Sequence, residues 1–313
     1  MRRRVGIIGT GWVGASVAIS TLQSGTVDEL LLHDRNADLA EGEAMDLAHG
    51  AAFYPASMVR SAALDALLET DAIVVSAGRG GRANESRLDL LRDNAAIVRS
   101  IGARLRGYRG IVVVVTNPVD VLTQVMTEAA GLPPARVIGT GTMLDTARLR
   151  QLVGSVLALD PRSVHAHVVG EHGDSEVVLW SGARAGGVPL HGWPRWNGSR
   201  EPELARRIRD AAYEIIRRKG ATNHAIGLAT GNLLRCILRS ERRVLTISRV
   251  HTGSHPWGGV ALSLPTVVSG EGAAEVLEPE MSDEERRGLI RSADVLRAAL
   301  DGLRAVEPVA STE

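Results

Sequence analysis

The sequence predicts an α/β protein, with a doubly wound parallel sheet over residues 1–142 and an α+β half over residues 143–313. Three observations carry this prediction. Short β-rich runs alternate with helix-length segments through the first 140 residues, the pattern of a parallel sheet covered by helices. A glycine-rich turn joins the first run to the first helix, and beyond residue 143 long helices and paired β segments replace the alternation. At 313 residues the chain exceeds what one core usually organises, so two units are expected, or one domain of unusual size.

The strands of the first half fall near 4–8, 29–33, 72–76, 111–115 and 136–139, with helical segments at 12–23, 84–106 and 119–130 between them. Asn117-Pro118 is a start signal for the last of these helices. In the second half a helix at 143–158 precedes a β pair near 163–169 and 175–179, and two long helices follow at 202–218 and 222–239. Further β segments lie at 243–250 and 259–268, and the closing helix at 282–303 begins with the capping box Ser282-Asp283-Glu284-Glu285. The stretch 186–200, rich in Pro and Trp, reads as a surface connection.

Composition narrows the partners. With 36 basic and 36 acidic residues the charges balance, which argues against nucleic acid or a membrane surface and favours a small molecule. The strongest apolar run, Ile111 to Val115, is far shorter than the roughly 18 to 20 residues of a membrane-spanning helix. The basic start Arg2-Arg3-Arg4 has a signal-peptide look, but Gly6, Gly9, Gly11 and Gly14 cut the apolar stretch after it, so it reads as a strand. Cys236, the one cysteine, sits in an apolar helical pattern and is expected in the core. The cytoplasm is the expected compartment, and no metal is expected.

Gly9-Thr10-Gly11-Trp12-Val13-Gly14 follows the run Val5-Gly6-Ile7-Ile8 and opens a helix, which is the strand, turn and helix context of a Rossmann dinucleotide fingerprint. The first glycine permits the tight turn, the second lets backbone approach a pyrophosphate, and the third lets helix and strand pack closely. Such a string alone can be only a glycine-rich turn. Asp34 strengthens it, because a carboxylate ending the second strand accepts hydrogen bonds from ribose hydroxyls and repels a 2′-phosphate. NAD is therefore expected over NADP, with Arg35 tempering the preference. The cofactor-binding candidates are Gly9, Gly11, Trp12, Val13, Gly14, Asp34, Ala77, Gly78 and Asn117.

Hydride transfer to or from a nicotinamide leaves a proton to be moved by a positioned acid/base side chain, and an anionic substrate needs a cation to hold it. His172 suits the first role, since its ordinary pKa lies near working pH and it sits in a Gly-flanked polar loop after a strand. Asp145 and Arg148, three apart on one helix, project from nearly the same face. Taken alone they are an exposed ion pair.

Four segments, Glu85-Ser86-Arg87-Leu88-Asp89-Leu90-Leu91, Thr116-Asn117-Pro118-Val119-Asp120, Leu144-Asp145-Thr146-Ala147-Arg148 and Gly170-Glu171-His172-Gly173-Asp174-Ser175, resemble the lactate/malate dehydrogenase family in order and spacing. The resemblance covers essentially the whole chain and includes Glu41-Gly42-Glu43-Ala44-Met45-Asp46-Leu47 and Lys219-Gly220-Ala221-Thr222. It implies that His172 is the acid/base, that Asp145 orients it and stabilises its protonated form, and that Arg148 grips the substrate carboxylate with its two-pronged fork. The stretch 78–84 would be a lid that brings the catalytic Arg87 against the carbonyl oxygen. Asn117 would hydrogen-bond the substrate oxygen and position the nicotinamide, and Thr222 would line the substrate pocket. His224 either borders that pocket or lies on a helix surface. A homodimer or homotetramer is expected.

Arg150 and His165 further resemble the phosphate site of bacterial lactate dehydrogenases activated by fructose 1,6-bisphosphate; read alone they are a helix-surface arginine and a strand histidine. One position departs from the family pattern. Six residues before Arg87, where glutamine accompanies lactate enzymes and arginine accompanies malate enzymes, stands Gly81. Glycine offers no donor for a second carboxylate and leaves room for a larger side chain, although Arg82 is adjacent. The resemblance as a whole favours pyruvate or a bulkier monocarboxylic 2-oxo acid, with malate as the alternative. Other classes fit less well: a non-catalytic NAD-binding protein predicts a broken constellation, and an NAD-dependent glycosidase requires a histidine partner that Cys236 lacks.

Overall fold

The computed structural model describes residues 2–81 and 87–305. The first half runs β1 (Arg4–Ile8), α1 (Trp12–Gln23), β2 (Glu29–His33), α2 (Ala37–His49), β3 (Met58–Ser61), α3 (Leu64–Leu67), β4 (Ala72–Val75), α4 (Arg87–Arg104), β5 (Ile111–Val114), α5 (Val119–Ala130) and β6 (Val137–Gly139). The second half runs α6 (Met143–Leu157), β7 (Val164–Val169), β8 (Val177–Ala185), β9 (Val188–Pro189), α7 (Glu201–Lys219), α8 (His224–Leu238), β10 (Arg243–Val250), β11 (Ala261–Ser269), β12 (Gly272–Val276) and α9 (Asp283–Arg304).

Strands β3-β2-β1-β4-β5-β6 pair in parallel, in the order of a Rossmann sheet. Chain direction therefore reverses its lateral progress at β1, and the crevice at the carboxyl ends of β1 and β4 is where such sheets bind ligands. Each central strand is apolar on both faces because helices cover both. Val112 and Val114 of β5 join the core with Val98 of α4, Val121 of α5 and Leu289 of α9. Their neighbours Ile111 and Val113 face the other way, onto Val17 of α1, Leu47 of α2 and Leu233 of α8. A third core gathers Leu149 and Val153 of α6, Val164 and Val168 of β7, Ala183 of β8 and Ile208 of α7.

Two findings differ from the sequence reading. Segments 243–250 and 259–268, which the sequence places in the α+β half, join the sheet of the first half: β10, β11 and β12 continue it in antiparallel fashion, with Ser248 of β10 opposite Gly139 of β6. The short β6 would otherwise leave an open row of backbone groups, and β10 covers that edge. The stretch 186–200 is also more than a surface connection, because Leu190 is buried and Trp193 and Trp196 pack on the third core. Their indole N–H groups donate to the carbonyl of Ala185 (3.3 Å) and to Glu201 Oε1 (3.1 Å), so each polar tip is satisfied. The capping box on α9 is present as the sequence predicts, and Cys236 is fully buried.

Candidate active site

The glycine turn explains its own residue choice. Gly9 has φ +96°, and a Cβ there would lie 2.5 Å from the backbone N of Ala77, which links the β1 turn to the segment after β4. A Cβ on Gly11, by contrast, would meet no atom of the described residues within 4 Å. Gly11 caps α1 without a side-chain hydrogen bond, and no acidic residue occupies the first turn. Free N–H groups and the positive end of the helix dipole fit a pyrophosphate there.

Thr10 N–H donates to Asp34 Oδ2 (2.9 Å), which holds the carboxylate at the end of β2 beside the turn. The other oxygen of Asp34 accepts from Asn36 N–H (3.0 Å). On the far side of the crevice Thr116 Oγ1 donates to the Ala77 carbonyl (2.8 Å), and Asn94 Nδ2 donates to the Asn117 carbonyl (3.0 Å). Ala77, Gly78 and Asn117 thus form one connected rim at the carboxyl ends of β4 and β5. The Asn117–Pro118 peptide is cis, and the Asn117 side-chain oxygen accepts from Val119 N–H (3.2 Å) at the start of α5. Together these residues fit NAD.

His172 is fixed from four directions. At the end of β7, Gly170 exchanges backbone hydrogen bonds with Ser263 of β11, both 2.9 Å, in a left-handed conformation (φ +88°). Glu171 N–H donates to Ser292 Oγ of α9 (2.7 Å), and His172 N–H donates to Asp120 Oδ2 of α5 (2.6 Å). The imidazole Nδ1 then donates to Asp145 Oδ2 (2.5 Å), while Asp145 Oδ1 accepts from Arg148 Nη1 (2.6 Å). Nε2 has no hydrogen-bond partner among the described residues. Asp145 and Arg148 do share a helix face, but the pair is not an exposed one: their side chains are 2% and 15% exposed.

Electrostatics follow from this packing. Burial alone would lower the pKa of His172, yet the charge and hydrogen bond of Asp145, with Asp120 and Glu176 behind, push it up to about 9. Burial would raise Asp145, and the adjoining His172 and Arg148 outweigh it, so the carboxyl stays below its ordinary value. Burial pushes Asp120 up to about 6 against the pull of His172. The array is a cationic imidazole backed by a carboxylate, beside a guanidinium only partly occupied by Asp145. It can donate a proton from Nε2 to an oxygen whose carboxylate neighbour rests on Arg148.

Gly81 is exposed, and a Cβ there would make ordinary contact with Leu90 Cδ2 at 3.5 Å. Residues 82–86 and the side chain of Arg87 lie outside the described residues, so the lid and its arginine do too; Arg87 enters only as the first residue of α4. Thr222 is half-buried just before α8, and the next residue, Asn223, is tied to Ser16 Oγ of α1 (3.0 Å). His224 is exposed and lines a groove with Trp12 and Tyr54. Arg150 is half-buried with Nε on the Ala166 carbonyl (3.3 Å), while His165 is exposed on β7.

Sequence reasoning missed two acids. Asp120 reads as an ordinary first-turn helix acid, and Glu176 as one more polar residue after the histidine loop. Only their burial beside His172, at 1% and 6% exposed, marks them.

The family model of the lactate/malate dehydrogenase NAD-binding domain matches residues 3–139, and that of the family's alpha/beta C-terminal domain matches residues 142–306. The chain is 42% identical over 301 residues to an L-lactate dehydrogenase of Synechococcus sp. (strain JA-3-3Ab), covering 95% of this chain and 98% of that one. It is 43% identical over 310 residues to one of Kosmotoga olearia, covering 96% of each. Its fold superposes on the crystal structure of a minor L-lactate dehydrogenase from Enterococcus mundtii with a TM-score of 0.93 at 38% identity, covering 98% of this chain and 99% of that one. With both halves matched in order and a histidine, aspartate and arginine assembled where they join, the chain belongs to the lactate/malate dehydrogenase family.

Proposed function

We propose that the protein is an NAD-dependent dehydrogenase that interconverts L-lactate and pyruvate. The observation that carries this reading is the chain of contacts from His172 through Asp145 to Arg148, which joins a proton donor to a carboxylate anchor on one rigid support. The names of the relatives favour lactate over malate. Gly81, which presents no cation to a second carboxylate, agrees.

In the direction of reduction, Arg148 orients the 2-oxo acid by its carboxylate and His172 Nε2 gives its proton to the carbonyl oxygen. Asp145 keeps the imidazole in the right tautomer and stabilises it while charged. Asn117 steadies the substrate oxygen, Thr222 closes the pocket wall, and Arg87 polarises the carbonyl. NADH, when held by the Gly9 to Gly14 turn and Asp34, would supply the hydride. In oxidation the same groups run in reverse, and the proton passes to neutral His172.

The compartment we assign is the cytoplasm, and the working form is a homodimer or homotetramer. Trp12, Met45 and Leu228 stand 64%, 51% and 64% exposed on α1, α2 and α8, an apolar surface suited to a second copy of the chain. Arg150 and His165 would offer a guanidinium and an imidazole N–H to fructose 1,6-bisphosphate as an activator. The test is NADH oxidation at 340 nm with pyruvate, longer 2-oxo acids and oxaloacetate, each with and without the bisphosphate. Pyruvate should be the preferred substrate, with its apparent affinity raised by the bisphosphate. Preference for oxaloacetate would overturn the substrate assignment, and an unmoved affinity would overturn the activation.

A further inference from the structure

We propose that the amino end of the main sheet carries a second binding site, built around Arg109 and Arg136, for a compact anion of several charges, of the phosphate-chain type. It lies at the end of the strands opposite the one that carries Gly9 and Asn117, and does not depend on the reading of the active site.

Strands β1, β4, β5 and β6 are neighbours in one parallel sheet, so the segments that enter them open on the same side. A cavity of about 670 Å³ lies there, lined by Arg2 and Arg3 before β1, Asp71 before β4, Arg109 before β5 and Arg136 before β6. Ile237 and Leu238, from the end of α8, give it an apolar wall. Val112 of β5 pairs with Val137 of β6, so Arg109 and Arg136 enter just ahead of that pair on adjacent strands, which run about 4.8 Å apart. Both stand on fixed backbone. Tyr108 beside Arg109 is buried and donates its hydroxyl to the Thr70 carbonyl (2.8 Å), and Arg136 N–H donates to the Pro133 carbonyl (2.8 Å).

The other cations of this end are already engaged. Arg3 donates to Asp28 from its backbone N–H (2.6 Å) and from Nη2 (3.2 Å). Glu29 is shared by Arg4 (2.9 Å), Arg60 (3.1 Å) and Arg2 (3.8 Å). Asp71 accepts from Arg4 N–H (2.7 Å), and Glu271 stands exposed at the rim, where solvent screens it. The guanidinium groups of Arg109 and Arg136, by contrast, have no hydrogen bond or ion pair among the described residues. Four arginines against two carboxylates leave the cavity cationic in a chain whose 36 basic and 36 acidic residues balance. A guanidinium fork binds an oxyanion in bidentate fashion, and beside an apolar wall the attraction is screened less than on open surface. A single phosphate can occupy one fork; a phosphate chain reaches both.

The probe is inorganic triphosphate, titrated calorimetrically into the full-length protein at fixed ionic strength with saturating NAD present. Triphosphate should bind, and orthophosphate at least ~10-fold more weakly. R109Q and R136Q should each weaken triphosphate at least ~10-fold. R207Q, which removes an exposed arginine of α7 outside the cavity, and R150Q should leave this binding in place. Hydrogen exchange of the unmodified protein locates the site without any substitution: triphosphate should protect peptides covering 107–112 and 134–138. Absence of binding, R109Q and R136Q isotherms superimposable on that of the unmodified protein, or an equal loss in R207Q overturns the site. So does a loss in R150Q, or protection that spares both peptides, because triphosphate would then be held elsewhere.

Discussion

His167 and His172 lie five residues apart on one continuous stretch of chain, and burial disfavours the charged form of both imidazoles. They nevertheless end at opposite extremes. His167, on β7, is faced by Arg150 and His165, and burial, with the charge of Arg150 behind it, pushes it down to about 4. His172, at the turn that follows, has Asp145, Asp120 and Glu176 around it, and their charge reverses the effect of burial and lifts it to about 9. The difference teaches that depth in the protein does not decide the state of an imidazole here. The sign of the neighbours does. One histidine is held neutral in a cationic corner, and the other is held ready to give a proton.

The sharpest way to break this comparison is to remove the charge that distinguishes the two. Asp145→Asn keeps the shape of the helix face but withdraws the main negative partner of His172. Turnover of pyruvate should fall on the order of 10³- to 10⁴-fold, as for other orienting carboxylates, and the His172 titration should drop toward its ordinary value. Retention of a titration near 9 would show that Asp120 and Glu176 suffice without Asp145.

A smaller effect is expected from Arg148→Gln, which frees Asp145 from its guanidinium and removes the carboxylate anchor. KM for pyruvate should rise on the order of 10²-fold, about 2–3 kcal/mol, in keeping with loss of a charge-assisted bidentate contact. Measuring KM and kcat separately checks this, because a loss confined to kcat would place Arg148 elsewhere in the reaction.

The smallest effect concerns stability against pH, where the two histidines should pull in opposite directions. His172 is raised above its unfolded value, so its contribution is fully present below about pH 6.5 and is lost as pH rises through about 9. His167 is lowered, so its contribution is present above about pH 6.5 and is lost as pH falls through about 4. Melting temperatures across this range should show H172Q flattening the alkaline limb and H167Q the acid limb. Identical curves for the two variants would mean that the neighbours do not act on them as the geometry requires.

Much of the architecture was legible before any coordinates. The strands around Val5, Leu31, Val74 and Val113 are unbroken apolar runs because helices bury both of their faces, and that signal is strong. β3 and β12 escaped it. β3 alternates exposed and half-buried residues over only four positions, and β12 is built on Gly272, Ala273 and Ala274, which carry little strand signal. The sheet membership of β10 was not legible either, since a strand's sequence records how much of it is covered but not which edge it joins.

In the site, residue types and spacing singled out His172, Asp145 and Arg148, and the glycine turn with Asp34. The order of the elements also follows from sequence, because hydrophobic period and turn chemistry are local properties. What only the tertiary structure decided is which charges meet. Asp120 reaches the backbone of His172 across 52 positions, and Glu176 is buried beside it with an oxygen unanswered among the described residues. Coulombic interaction depends on distance through a medium that excludes water, and neither the distance nor the exclusion is written in the order of residues along a chain.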